Sequence, residues 1–165
     1  MKEYDCGRCG ERHDELPMHY TAKAPEPFFR LDEAARAKTL INEDQCVLEE
    51  KDFFLLGNLE IPVAGLEERF SWDVWVRVSR RDFARACEMW ETPGRETEPP
   101  IPGTIETTLP GYPETVGLAV TLRTREVGFR PLVDLADTAH PLAAEQRGGI
   151  TTARVQEIAE VVRHG

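Results

Sequence analysis

The chain lacks any apolar run long enough to cross a bilayer. Its most hydrophobic stretch, Phe53-Phe54-Leu55-Leu56, is strand-sized, whereas a spanning helix takes roughly 20 residues. No apolar segment follows Met1-Lys2-Glu3-Tyr4-Asp5, so no secretory signal and no membrane partner are expected, and the reading is cytoplasmic. Cationic charge is short: 20 Lys and Arg stand against 30 Asp and Glu, for a net charge of −10. Nucleic-acid binding depends on neutralising phosphates, so that partner class is not expected, and a partner chosen by charge would be a basic protein. Cysteine is scarce at four residues, and in a reducing compartment these read as metal ligands or core residues, not as a disulfide framework. The sequence has no Walker A loop, no G-x-S-x-G, no H-E-x-x-H and no G-x-G-x-x-G, which removes the common enzyme signatures. Acid–base sites assembled from scattered residues leave no such local pattern.

What is present fits one globular domain. The 165 residues are 41% hydrophobic and 30% charged, enough to bury a core without cross-links. We read residues 1–165 as a single domain, with 1–24 a metal knuckle segment and 25–165 an α+β body. The knuckle is Cys6-Gly7-Arg8-Cys9-Gly10, followed by His13. Two thiolates three residues apart grip one face of a tetrahedral cation, and glycine lets the backbone curl until amide N–H groups point at sulfur. A structural site needs four ligands, so Cys6, Cys9 and His13 require one more. Cys46, at the start of a predicted strand, is the preferred fourth, with His19 and His140 as alternatives; a sulfur-rich set of this kind predicts one structural zinc. A redox reading of Cys6 and Cys9 is opposed by context, because a thioredoxin-like pair follows a strand and opens a helix.

Along the body, Leu31 to Lys38 predicts a short helix, acidic at its front and basic at its back, with Asp32 as the cap. Cys46 to Leu48 and Asp52 to Val63 predict a hairpin around Glu49-Glu50-Lys51, with Pro62 at a strand end. From Ser71 to Ser79 the pattern alternates: Trp72, Val74, Val76 and Val78 share one face, and Asp73, Trp75 and Arg77 the other. Ser79 and Asp82 cap a helix over about 80–91, whose stripe of Phe83, Cys87 and Trp90 places Cys87 in the core. Six of the twelve prolines fall between Thr92 and Pro113, predicting a long irregular connection with a short strand at Thr104 to Leu109. Val116 to Arg125 and Phe129 to Leu135 predict a second hairpin. His140-Pro141 opens a helix stopped by Gly148-Gly149, and Thr151 caps a last one with a stripe of Val155, Ile158, Ala159 and Val162.

Two further clusters carry chemistry. His140, Glu145 and Arg147, with Arg130 and Asp134 on the preceding strand, are the candidate acid–base residues. His140 also sits where a helix cap belongs, so holding a turn is the competing role. Trp75, on the polar face of its strand, is either a partner anchor or a residue covered by a helix.

Cys6-Gly7-Arg8-Cys9-Gly10 with His13, Phe53-Phe54 through Leu59-Glu60-Ile61-Pro62-Val63, Trp72-Asp73-Val74-Trp75-Val76 and His140-Pro141-Leu142-Ala143-Ala144-Glu145-Gln146-Arg147 together resemble one bacterial family, the domain of unknown function numbered 2199. The resemblance runs from Cys6 to Ile158 and implies no activity. Against the family's pattern, this chain has Asp73 in place of a glycine and Thr104 in place of a tryptophan. The expectation is an α+β domain, a mostly antiparallel sheet with packed helices and an N-terminal zinc knuckle, acting as a non-catalytic binding or adaptor protein. A small enzyme using His140, Glu145 and Arg147 is the alternative, and a thiol redox protein using Cys6 and Cys9 is the third.

Overall fold

The computed structural model describes residues 3–10, 12–13, 16–136 and 139–164, with the side chain of His13 outside that set. In chain order the elements are β1 (Tyr4–Asp5), β2 (Arg12–His13), β3 (His19–Thr21), α1 (Glu26–Phe29), α2 (Glu33–Ala37), β4 (Leu40–Ile41), β5 (Gln45–Leu48), β6 (Asp52–Ile61) and β7 (Phe70–Val78). Then come α3 (Arg80–Glu88), a 3-10 turn (Arg95–Thr97), β8 (Ile101–Ile105), β9 (Ala119–Arg123), β10 (Leu132–Leu135), α4 (Pro141–Gly148) and α5 (Thr152–His164).

Strands β6 to β10 close into a five-strand barrel. Each pairs antiparallel with the next, and β10 returns beside β6 in parallel, through Leu132 and Asn58. An odd number of up-and-down strands leaves the last running in the same direction as the first, so the closing pair must be parallel. The β3 strand also lies parallel to β7, making the sheet mixed. The expectation of a mostly antiparallel sheet did not foresee the barrel, because closure depends on which distant edges meet. Two glycines permit it. A Cβ on Gly57 would lie 2.6 Å from Val133 Cγ2, and one on Gly103 would lie 2.6 Å from Val76 Cγ1, so the tightly coiled strands approach only where side chains are missing.

Strand alternation sorts the core into two clusters. Inside the barrel, Leu55, Leu59, Ile61, Phe70, Trp72, Val74, Val76, Ile105, Leu122 and Val133 pack together, and Leu142, Val155 and Ile158 of α4 and α5 close one end. On the outer face of β5, β6 and β7, Cys46, Leu48, Phe54, Leu56 and Trp75 form a second cluster covered by Phe28 and Leu31. Trp75 is therefore roofed by the α1 segment, and its indole donates to the Ala22 carbonyl at 3.0 Å.

Local chemistry explains the element ends. Asp32 and Ser79 accept from the amides of Ala35 and Asp82 at 2.8 and 3.0 Å, as N-caps do. Glu49 and Glu50, both at positive φ, turn β5 into β6, and β6 stops at Ile61 before Pro62. Three expectations shift. The short strand lies at Ile101–Ile105, not at Thr104 to Leu109. The return strand narrows to Leu132–Leu135, because the loop before it is held by Arg95, whose guanidinium donates to the carbonyls of Arg125, Glu126 and Phe129. Cys87 is half-buried, not core, and Gln45 Nε2 lies 3.4 Å from its sulfur.

Candidate metal centre

The N-terminal hairpin bends between β1 and β2, with Tyr4 paired to His13. Within the bend the Gly10 amide donates to the Cys6 carbonyl at 2.9 Å, and Gly10 itself has φ 72°, a conformation natural to glycine. This curl brings Cys6 and Cys9 together. The third member of the group is His164, the last described residue: the donor atoms of Cys6, Cys9 and His164 all lie within 4.8 Å of one another, and Cys6 Sγ is 3.2 Å from His164 Nε2. Around a tetrahedral zinc, with Zn–S near 2.3 Å and Zn–N near 2.0 Å, donors sit roughly 3.3–3.8 Å apart. The three residues therefore fit a metal with little rearrangement.

Helix α5 presents this histidine for a periodic reason. Gln156, Glu160 and His164 recur every fourth residue and line one side of the helix, while Val155, Ile158 and Ala159 face the core. Gln156 Nε2 donates to the Asp5 carbonyl at 2.7 Å, and Glu160 Oε1 accepts from the Gly7 amide at 2.7 Å. Hydrogen bonding by the Gly7 N–H holds the Glu160 carboxyl below its ordinary range. The backbone N–H of Cys9 likewise holds the Cys6 thiol low, against the opposing effect of burial, so the thiolate is favoured.

The other predicted ligands lie elsewhere. Cys46 does not join the knuckle. It is fully buried among Leu48, Phe54, Leu56 and Trp75 on the outer face of the sheet, and burial pushes its thiol up to about 12. It behaves as a small apolar residue. His19 Nε2 sits 2.6 Å from Asp73 Oδ2. The ring of His140 is engaged at both nitrogens: Nδ1 accepts from the Leu142 amide at 3.1 Å, which leaves Nε2 to donate to the carbonyls of Pro113 and Glu114 at 3.2 and 3.1 Å. The side chain of His13 lies outside the described residues.

The acid–base candidates are tied to different parts of the fold. His140 caps α4, and Arg147 sits exposed in that helix's last turn. Glu145 accepts from the Tyr112 hydroxyl at 2.5 Å and from Arg154 Nε at 2.7 Å, a tie that continues to Trp72. Asp134 pairs with Arg123, and Arg130 Nε donates to Asp44 at 2.7 Å. Sequence reasoning missed the residue that organises the outer face, Asp73. Its carboxylate has no exposed surface and accepts from His19, from Asn58 Nδ2 and from Arg130 Nη1. Its signals were its place on the polar face of the alternating strand and its departure from the glycine of the family pattern.

An α+β fold on a five-strand barrel, with a cysteine–histidine group between the β1–β2 hairpin and α5, is the class these observations define. The chain belongs to the bacterial family DUF2199, described as an uncharacterized protein conserved in bacteria, whose family model matches residues 5–150. No curated protein matches the chain. No solved structure matches it either. Among the described residues, no helix is long and apolar enough to cross a membrane.

Proposed function

We propose that the chain is a non-catalytic binding domain whose N-terminal hairpin is stapled to its C-terminal helix by one structural zinc ion. The observation that carries this reading is the convergence of Cys6, Cys9 and His164. Two thiolates and an imidazole form a set that suits zinc. His13, on the second strand of the same hairpin, is the proposed fourth donor. A bound zinc would supply rigid cross-linking of two chain ends. The hydrogen bonds from Gly7 to Glu160 and from Gln156 to Asp5 align the hairpin on α5 for that link. Support for a non-catalytic role comes from His140 and Glu145, whose polar atoms hold α4 against its neighbours and so are committed to the fold.

Elemental analysis with native mass spectrometry tests the reading. The wild type should carry about one zinc per chain. Cys9→Ser and His164→Ala should each lose it, and Cys46→Ala should keep it. A wild type without zinc, or a His164→Ala variant that retains it fully, would overturn the assignment.

A further inference from the structure

We infer that the groove beside α3 is a binding site for a small amphiphilic anion, an apolar chain ending in a carboxylate. This inference deepens the reading of the chain as a binding domain and rests on it. The groove lies between α3, the proline-rich stretch before β8 and the loop before β10, and is open to solvent, which makes up part of the about 720 Å³ of free space along it. Met89, Trp90, Ile101 and Pro131 give it an apolar lining.

Its charged residues do not cancel. Arg85 and Glu98, both at the groove, pair with each other at 2.6 Å. That leaves Arg95 and Arg125 against the single carboxylate of Asp82, a positive balance in a chain whose net charge is −10. Arg95 is 6% exposed. Its guanidinium donates to the carbonyls of Trp90, Arg125, Glu126 and Phe129, and among the described residues no carboxylate pairs with it. Four of its five N–H groups are thereby used. Carbonyl dipoles satisfy hydrogen bonds but do not neutralise a whole charge, and a buried cation without a counter-ion is costly.

Arg125 also lines the groove. It donates to the Arg130 carbonyl and to Asn58 Oδ1, both at 2.6 Å, and pairs with the Glu60 carboxylate at 4.0 Å. An anion entering beside Arg95 supplies the missing charge. The apolar lining requires the rest of that ligand to be hydrocarbon, and a carboxylate oxygen can accept a charge-assisted hydrogen bond from the one Arg95 N–H not given to a carbonyl.

The test compares decanoate, decanol and decylamine by isothermal titration, below the micelle-forming concentration of each, with tryptophan fluorescence as a second readout. Trp72 and Trp75 are buried in the core, so a ligand-induced change reports on Trp90. Decanoate should bind about tenfold or more tighter than decanol, the effect of one charge-assisted contact, with decylamine the weakest. Groove-filling Met89→Trp and Ile101→Trp, each checked for an unchanged melting temperature, should abolish decanoate binding. Equal affinity for decanol would refute the anionic head while leaving a binding groove. No binding by any of the three, or unchanged decanoate affinity in a folded groove-filled variant, would refute the site. Zinc content measured on the same wild-type sample shows separately whether the stapled-domain reading stands.

Discussion

Removing the Asp73 carboxylate should be among the most damaging single changes on the outer face of the sheet. Asp73 is 1% exposed and accepts from three side chains, two of them cationic or protonatable: His19 at 2.6 Å, Asn58, and Arg130 at 3.3 Å. Asp73→Ala leaves all three donors facing a small apolar hole. Hydrogen bonds to a charged acceptor are worth about 1.5–3 kcal/mol each, so three would give about 4.5–9 kcal/mol if they added. They do not contribute in full. The His19 side chain is 52% exposed and can turn to water, while Arg130 is 32% exposed and keeps Asp44, so both are discounted for solvent screening. The Asn58 amide, tied to Arg125 through its oxygen, is the donor least able to find a replacement. The expected loss is therefore about 3 kcal/mol, at the lower end of what breaking a buried pair costs. Urea denaturation followed by circular dichroism measures it. With a slope of about 1–3 kcal/mol per molar, the midpoint should fall by about 1–3 M. Arg130→Met, which leaves Asp73 two donors, should cost about 1 kcal/mol. An Asp73→Ala variant within about 0.5 kcal/mol of wild type, the scale of an ordinary surface substitution, would refute the argument that this carboxylate organises the face.

Cys46 should make the fold sensitive to alkali. Its thiol stays protonated to about 12 when folded, against an ordinary value of 9.0, so the folded state holds a proton that the unfolded chain has released. The corresponding stability is complete below about pH 9 and lost as pH rises towards about 12. Urea midpoints taken across that window should fall less steeply for Cys46→Val than for wild type; parallel curves would show that the thiol is not protected. His140→Ala should lower stability by about 0.5–2 kcal/mol, the scale of a lost cap, while zinc content stays unchanged. Loss of zinc from that variant would contradict the placement of His140 at α4 and away from the knuckle.

Local patterns in the chain determined most of its elements. Alternation over Ser71 to Ser79 placed Trp72, Val74, Val76 and Val78 inward, because a strand's side chains have a period of two whatever it pairs with. The caps at Asp32, Ser79, His140 and Thr151 were legible for a similar reason: each answers a need of the adjacent amides. The same logic made Cys6 and Cys9 readable as a pair, since three residues of backbone suffice to bring them together. The fourth-ligand choice of Cys46 failed because strand position does not say which face of the sheet a thiol occupies, and this one faces Trp75 and Phe54. His164 had a periodic signal, in step with Gln156 and Glu160, but its meaning depended on α5 packing beside a hairpin about 150 residues earlier in the chain. Barrel closure, the burial of Asp73 and the groove at Arg95 likewise required knowing which distant strands and loops meet. Those were decided by tertiary structure alone, because burial and pairing are set by contacts between segments that carry no mark of each other in the sequence.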